Sequence, residues 1–152
     1  MLNPEVKKHL LEGTVIPAHP LALTENRQLD EKGQRALTRY YIDAGVGGVA
    51  VGVHTTQFEI RDPQFNLYEK VLSLAMEEMK NAQVPESFIK IGGISGPLEQ
   101  AIKEARFLQE LGYDLGLLSM GGLQDATEEE LIDRTKKIAE IIPVIGFYLQ
   151  PA

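Results

Sequence analysis

Polar side chains able to bind a ligand follow one of the most apolar stretches of the chain. The run VAVGV, residues 49–53, leads directly into His54, Thr55, Thr56 and Gln57. An imidazole, two hydroxyls and an amide at the end of a buried strand could donate hydrogen bonds to an anion such as a carboxylate. The hydroxyls could equally cap the backbone of the loop, so a binding role and a structural role are both open.

Further candidate residues follow the other apolar segments. His19 follows the first apolar segment, and Ser119 follows the fourth. Residues 92–95 (GGIS) lie at the end of the third segment, and Tyr148 and Gln150 belong to the last one. A phenol both donates and accepts hydrogen bonds, which a proton relay requires. The glycines could let a phosphate approach a helix N-terminus, although close packing of strand on helix explains them more simply. No carboxylate pair accompanies these residues, which disfavours glycoside hydrolysis by paired acids.

Lys90 is a different kind of candidate. It lies between Ile89 and Ile91, which point to the other face of their strand, so we expect Lys90 to face the interior if the strands form a barrel. A desolvated lysine has a lowered pKa and can form a Schiff base. The alternative that we favour is a lysine paired within the barrel or near its bottom.

The composition restricts the possible partners and compartments. The chain has 152 residues, 43% of them hydrophobic and 24% charged, and we expect one domain over residues 1–152. A net charge of −7 disfavours a nucleic-acid partner, and no apolar run approaches the roughly 20 residues that cross a bilayer. The absence of cysteine excludes disulfides and thiolate zinc sites. We therefore expect a cytoplasmic protein with neither nucleic-acid nor membrane partners.

Strand-like and helix-like segments alternate along the chain. Predicted strands are GTVIPAHPLAL (13–23, including its exit loop), VGGVAVGV (46–53), FIKIGG (88–93), DLGLLSM (114–120) and VIGFYL (144–149). Predicted helices cover residues 3–12, 30–45, 66–82, 97–112 and 127–142. The strands are nearly continuous apolar runs, which is typical of parallel strands buried on both faces.

Helix boundaries carry recognisable signals. Asp30 is a predicted N-cap, and Gly45 suits the left-handed position that ends the same helix. Helical spacing places Leu37, Tyr40, Tyr41 and Ala44 on one side of that helix. The next helix repeats Leu67, Val71, Leu74, Ala75 and Met79 at the same spacing, and Thr127 with Glu130 forms a capping-box pattern at the last helix.

Two architectures fit this alternation of parallel strands and helices. Five strands could form an open doubly wound sheet, or they could be the first five strands of a (β/α)₈ barrel. A doubly wound domain normally covers its last strand with a helix, whereas VIGFYL would remain uncovered. We therefore expect the N-terminal part of a TIM barrel, apparently incomplete.

The order and positions of three motifs resemble the dihydrodipicolinate synthase/N-acetylneuraminate lyase family of Schiff-base aldolases. The family's second strand ends in Gly-Thr-Thr-Gly-Glu, and His54-Thr55-Thr56-Gln57-Phe58 stands at that place here. Its fifth strand ends in a tyrosine before a turn containing proline, as in Tyr148-Leu149-Gln150-Pro151. Its first strand resembles GTVIPAHP, with His19-Pro20 at the family's Thr-Pro. The resemblance covers the whole chain but only five of the eight barrel strands.

This resemblance implies roles for several residues. Thr55 and Thr56 would hold the carboxylate of pyruvate or a related 2-oxo acid, and Tyr148 would relay protons. His54, His19 and Gln150 would complete the substrate contacts. The family's nucleophile is a lysine on the sixth strand, which would lie beyond Ala152. We expect no cofactor and a homo-oligomer, active as a lyase or aldolase only when the whole barrel is present.

Departures from the family's motif concern the substrate. His54 and Gln57 replace the glycines that flank the threonines, and Phe58 replaces the glutamate, so bulkier groups enter the site. Gly121 or Gly122 stands where the synthases commonly place a tyrosine of the relay. Specificity is therefore open. The alternative reading is a non-catalytic α/β domain that binds a ligand or associates with itself.

Overall fold

The computed structural model describes residues 1–147, which form a parallel sheet with helices α2 to α5 packed on one face. The strands are β1 (Gly48–Val51), β2 (Ile89–Ile94), β3 (Leu115–Leu118) and β4 (Val144–Gly146). The helices are α1 (Pro4–Glu12), α2 (Glu31–Asp43), α3 (Tyr68–Asn81), α4 (Leu98–Leu111) and α5 (Glu128–Ala139). Two short 3₁₀ turns, His54–Thr56 and Phe58–Arg61, follow β1. No helix among these residues is both long and apolar enough to cross a bilayer.

The order of the strands decides between the two predicted architectures. The sheet runs β1-β2-β3-β4, and every neighbouring pair is parallel. Each strand therefore pairs with the next one in sequence, without the reversal of direction that defines a doubly wound sheet. Right-handed crossovers taken repeatedly in one direction place the helices that connect the strands on one face, as in a barrel. The predicted partial TIM barrel is confirmed.

The first predicted strand is an extended segment rather than a regular strand. It is joined to β1 by a parallel bridge between Ala18 and Ala50, with hydrogen bonds from the His19 N–H to the Ala50 carbonyl and from the Ala50 N–H to the Pro17 carbonyl. A separate antiparallel bridge joins Leu23 to Leu29. Pro17 and Pro20 supply no backbone donor, so they interrupt a regular ladder. The segment still occupies the sheet position beside β1 that the sequence predicts.

The two faces of the sheet differ in their cover. Val49, Val51, Ile94 and Leu118 point toward the helices, where they belong to a large buried cluster with α3, α4 and α5. The opposite face, here called the inner face, carries Ala50, Ile89, Ile91 and Leu115, with Leu117 and Ile145 packed against them. Val6 of α1 joins this second, smaller cluster.

The side of α2 that carries Leu37, Tyr40, Tyr41 and Ala44 is not its most buried side. Gln34 and Thr38 are the buried residues of this helix, whereas Tyr40 is 66% exposed. The Gln34 side chain accepts from the Ala22 N–H and donates to the Pro20 carbonyl, at 2.8 Å and 3.1 Å. Buried polar groups that find such partners cost little. Tyr41 and Ile42 of α2 are packed against the core as well, so hydrogen bonds and apolar contacts together set the inward side of this helix.

Most of the predicted helix boundaries agree with the structure. The Asp30 carboxylate accepts from the Gly33 N–H at the start of α2, and Gly45 follows the helix with a φ of +74°. Thr127 and Glu130 form the predicted capping box of α5. On α3, Val71, Leu74, Ala75 and Met79 are buried as their spacing predicts, and Leu67 is packed against the same cluster.

The predicted orientation of Lys90 is wrong, whereas its predicted pairing is confirmed. Ile89 and Ile91 face the inner side, so Lys90 points toward the helices. Its Nζ lies 2.8 Å from Asp114 Oδ2, and Lys90 is the second residue of β2, at the end of the sheet opposite the candidate residues. Alternation along a strand separates the two sets of side chains, but it does not indicate which set faces the barrel interior.

Candidate active site

The carboxyl ends of the strands surround an apolar cavity on the inner face. Its volume is about 290 Å³, and aliphatic side chains of the inner face form most of its wall. His54, Phe58, Ser119 and Phe147, from the chain following β1, β3 and β4, complete the wall. Ligands of parallel α/β folds bind at these strand ends, so this cavity is the candidate active site.

The His54–Thr56 turn places His54 in the wall of this cavity, whereas Thr55 follows it in sequence and does not line the cavity itself. His54 is exposed, and its ring stacks on Phe147 with 6.5 Å between centroids and 17° between planes. The Thr55 hydroxyl is partly exposed and lies 3.4 Å from His54 Nδ1. The predicted His54–Thr55 pair is thus brought to the carboxyl end of β1, where both side chains are accessible to a ligand.

Thr56 occupies a different environment from its neighbour. It is fully buried, its hydroxyl donates to the His19 carbonyl at 2.6 Å, and the same oxygen accepts from the Gly52 N–H at 3.0 Å. The backbone N–H of Thr56 donates to the Val53 carbonyl. This side chain therefore ties the extended first segment to the end of β1, and its contact with a substrate stays a prediction.

His19 lies between the sheet and α2. It is fully buried, and its Nδ1 lies 2.9 Å from the Pro20 carbonyl oxygen and 3.0 Å from the Gln34 amide nitrogen. Its Nε2 lies 2.9 Å from the Thr38 hydroxyl oxygen. Burial lowers the pKa of this imidazole from its ordinary value, which favours the neutral ring. A site role for His19 stays a prediction, because both of its ring nitrogens have partners within the protein.

The glycines at the end of β2 are explained by close packing. A Cβ added to Gly92 would come within 2.1 Å of the Leu108 side chain, and one added to Gly93 within 2.2 Å of the Gly52 carbonyl oxygen. These distances support the simpler of the two interpretations, in which glycine permits a close approach of helix and neighbouring strand. Nearby, the Ser119 hydroxyl accepts from the Gly121 N–H.

A buried ion pair beside the cavity was not predicted. Arg61 Nε donates to Glu104 Oε1 at 2.8 Å, and the two side chains are 10% and 7% exposed. Arg61 Nη2 also donates to the carbonyls of Gly52 and Gly93, each at 3.0 Å. The sequence could have indicated that Glu104 is buried, because it lies at helical spacing among Ala101, Ala105 and Leu108, on the apolar side of α4. Nothing in the local sequence marks Arg61.

Tyr68 completes this cluster as a hydrogen-bond donor. Its hydroxyl donates to the Gly93 carbonyl at 2.7 Å, and its ring lies under the Arg61 guanidinium with 4.4 Å between Cζ and the ring centroid. Burial, reinforced by the charge of Glu104, raises the pKa of this phenol well above its ordinary value. Tyr68 therefore stays protonated and holds the strand end in place.

Two predicted site residues, Tyr148 and Gln150, lie outside the described residues, so their roles stay predictions. Within residues 1–147, no group of three or more histidine, aspartate or glutamate side chains is arranged to hold a metal ion.

Comparisons with known proteins reveal a relationship in structure that sequence comparison does not detect. No protein-family profile matches the chain, and no curated protein matches it by sequence. Its structure is similar to that of an N-acetylneuraminate lyase from Fusobacterium nucleatum, with a TM-score of 0.76 and 22% identity over 90% of this chain and 46% of that one.

Two further solved structures are similar over the same region. One is an N-acetylneuraminate lyase from Mycoplasma synoviae, with a TM-score of 0.75 and 20% identity over 91% of this chain and 46% of that one. The other is a prophage protein of the dihydrodipicolinic acid synthase family from E. coli K12, solved in complex with pyruvate, with a TM-score of 0.75 and 20% identity over 88% of this chain and 44% of that one. The chain spans about half the length of these proteins, and over that half it has the fold of the N-acetylneuraminate lyases and dihydrodipicolinate synthases.

Proposed function

We propose that the protein is a Schiff-base-forming lyase or aldolase that acts on pyruvate or a related 2-oxo acid. The observation that carries this proposal is the position of Thr55, a half-buried threonine at the carboxyl end of β1 that directly follows His54, a residue of the cavity wall. The fold around it is shared with lyases and synthases, and two of the similar structures were solved in complex with pyruvate. One domain in a cytoplasmic homo-oligomer is part of the same proposal.

Each candidate residue has a distinct part in this chemistry. The Thr55 hydroxyl donates to the substrate carboxylate, which is a strong, charge-assisted hydrogen bond. A lysine amine attacks the 2-oxo carbon, and loss of water gives the imine that stabilises a carbanion at the neighbouring carbon. We expect that lysine beyond Ala152 and Tyr148 as the group that moves protons to and from the substrate oxygen. His54 and Phe147 flank the site on one side.

Thr55 and Thr56 have different proposed roles, because their hydroxyls have different partners. The Thr56 hydroxyl joins two backbone segments, whereas the Thr55 hydroxyl has His54 as its only contact among the described residues. We propose that Thr55 contacts the ligand through its side chain and that Thr56 supports the turn from behind.

Borohydride reduction in the presence of 2-oxo acids tests the proposal. The protein expressed from its complete reading frame is incubated with pyruvate and a panel of longer 2-oxo acids, reduced, and analysed by mass spectrometry. We expect a covalent adduct with at least one acid, located on a lysine outside residues 1–152. An absence of adducts across the panel would favour the non-catalytic alternative.

Substitution of Thr55 tests the carboxylate contact itself. Thr55→Ala should raise the KM for the 2-oxo acid about ten- to hundredfold, the effect of losing a hydrogen bond to a charged group. Thr24→Ala is the control, since Thr24 is an exposed loop threonine whose hydroxyl accepts only from the Gln28 N–H. Equal KM values for the two variants would remove Thr55 from the proposed site.

A further inference from the structure

The buried pair of Arg61 and Glu104 lies directly behind the turn that carries Thr55. We infer that Arg61 is a positioning residue, which holds the ends of β1 and β2 so that the His54–Thr56 turn presents Thr55 to the ligand. The ligand part of this inference rests on the proposed function. The mechanical part, that Arg61 sets the geometry of the turn, rests only on the contacts described below.

A short chain of hydrogen bonds connects Arg61 to the turn. Arg61 Nη2 donates to the Gly52 carbonyl, and the N–H of the same glycine donates to the Thr56 hydroxyl. Gly52 has a φ of +74°, a conformation that side-chain-bearing residues rarely adopt, and it ends the extended backbone of β1. The guanidinium thus holds the peptide at which the chain leaves the strand and enters the turn.

The same guanidinium connects β1 to β2. Its Nη2 also donates to the Gly93 carbonyl, which accepts a second hydrogen bond from the Tyr68 hydroxyl. Gly93 lies so close to the Gly52 carbonyl that a side chain would not fit between them. Arg61 therefore bridges two neighbouring strand ends at the point where they come closest.

Glu104 orients Arg61 from the helix layer. Its two oxygens accept from Arg61 Nε and Nη2, at 2.8 Å and 3.2 Å. Oε2 also accepts from the Ser95 N–H just after β2, and Oε1 accepts from Gln100 Nε2. The carboxylate is thus held by α4 and by the chain after β2, which leaves the guanidinium a single orientation toward the carbonyls.

An ion pair with such low exposure is poorly explained as a device for stability alone. Desolvation of the two charges offsets much of their attraction, and apolar side chains of similar volume often stabilise a fold equally well. A guanidinium differs from an apolar side chain, and from lysine, in presenting several donors in a fixed plane. Here those donors contact a carboxylate and two strand-end carbonyls, which is a geometric function.

Arg61 acts on the ligand through the turn rather than by direct contact. Its side chain is 10% exposed, and the face of the guanidinium lies against Tyr68. Its Nε and Nη2 donors are bound within the protein, and Nη1, which has no partner among the described residues, is buried away from solvent. A direct ionic contact with the 2-oxo acid is therefore not part of the inference.

Hydrogen exchange in an Arg61→Lys variant tests the positioning role. The protein from the complete reading frame is compared with the variant by mass spectrometry, peptide by peptide. The exchange ratio is the factor by which the variant accelerates exchange in residues 50–57, divided by the factor for residues 114–118 of β3. It should be at least about ten for Arg61→Lys, because the opening is local. A general loss of stability would accelerate both segments equally, so an unchanged ratio overturns the inference. Arg35→Lys is the matched control, since Arg35 pairs with Glu77 and Glu78 on the helix surface.

Kinetics provide the second measurement. With a 2-oxo acid that forms an adduct, Arg61→Lys should raise KM about tenfold and change kcat by less than about threefold, because binding of the carboxylate is equally weakened before and in the transition state. A changed exchange ratio with an unchanged KM would overturn the ligand part of the inference. If the wild-type protein traps no 2-oxo acid, the proposed function fails, and the exchange ratio still decides whether Arg61 holds the turn.

A second variant protects the test against a folding failure. Glu104→Gln keeps the volume and one acceptor oxygen but removes the charge that orients Arg61. It should shift the exchange ratio in the same direction as Arg61→Lys, by a smaller factor. If Arg61→Lys does not fold and Glu104→Gln leaves the ratio unchanged, the inference is overturned.

Discussion

The two sides of the candidate site are built differently. At the ends of β1 and β2, a buried guanidinium, a carboxylate and a phenol bind backbone carbonyls and an N–H group within a closely packed region. After β3, residues 119–127 are exposed or half-buried, and a Cβ added to Gly122 would meet nothing within 4 Å. One side of the site is fixed by directional contacts, and the other leaves its side chains in open space.

Two buried arginines make the contrast clearest. Arg61 has a carboxylate partner and holds two strand ends, whereas Arg134 of α5 donates from Nε to the Gly96 carbonyl and approaches the Met120 sulfur. Burial lowers the pKa of the Arg134 guanidinium, and no carboxylate pairs with it among the described residues. Each arginine leaves one buried nitrogen without a partner there, Nη1 of Arg61 and Nη2 of Arg134. Similar burial of the same side chain therefore does not imply the same structural role. We expect changes near β1 and β2 to alter the site more than changes near β3.

Matched substitutions of the two arginines should show the largest difference. Arg61→Met would leave Glu104 buried without its partner, which costs about 3–5 kcal/mol of unfolding free energy. Arg134→Met removes a buried charge that has no carboxylate partner among the described residues, and it keeps most of the apolar volume, so we expect a change below about 1 kcal/mol. Denaturant unfolding of both variants measures this difference. Equal losses would show that the two sides are equally dependent on their arginines.

Two glycine substitutions compare the space on each side. Gly93→Ala would place a Cβ 2.2 Å from the Gly52 carbonyl oxygen, and the required backbone shift should cost about 1–3 kcal/mol. Gly121→Ala meets only the Ser119 hydroxyl, at 3.3 Å, and should change stability by less than about 0.5 kcal/mol. Thermal unfolding of the two variants is the measurement, and a destabilised Gly121→Ala would contradict the open structure proposed for the β3 side.

The two sides should also respond to pH in different ranges. The pKa of His19 is lowered by burial, so its neutral form stabilises the fold, and this contribution falls as pH drops below the unfolded value of 6.5. The slope can reach about 1.4 kcal/mol per pH unit, and a His19→Asn variant should lose it. Hydrogen bonds from Thr127 lower the pKa of Glu130, so the ionised Glu130 stabilises the fold. This stabilisation is lost only as pH falls through the carboxyl range, below 4.5. Unfolding free energies measured from pH 8 to pH 4 would separate the two, and an unchanged slope in His19→Asn would contradict the assignment.

A modest loss of stability, confined to one helix end, is expected at the start of α5. Thr127→Ala removes the capping-box hydroxyl that accepts from the Glu130 N–H, which should cost about 1 kcal/mol. The exchange of residues 50–57 should stay unchanged in this variant, because the cap has no contact with the β1–β2 side. Faster exchange there would show that the two sides of the site are coupled.

Much of the fold was predictable because its signals are local. Continuous apolar strands, the Asp30 cap, the glycine after α2 and the capping box of α5 each depend on residues close in sequence. The inward side of α2 was not predictable, because Gln34 and Thr38 find partners in a segment more than ten residues away. The Lys90 error has a similar origin, since the inner side of β2 depends on where the helices lie.

The candidate site divides in the same way. The sequence by itself determined that His54 and Thr55 follow a buried strand, because polar residues after an apolar run mark a strand end. Only the tertiary structure decided that Thr56 turns inward to bond the His19 carbonyl and that Arg61 meets Glu104 across 43 positions of chain. Periodicity reports which side of an element is apolar, whereas long-range hydrogen bonds form only once the elements have packed.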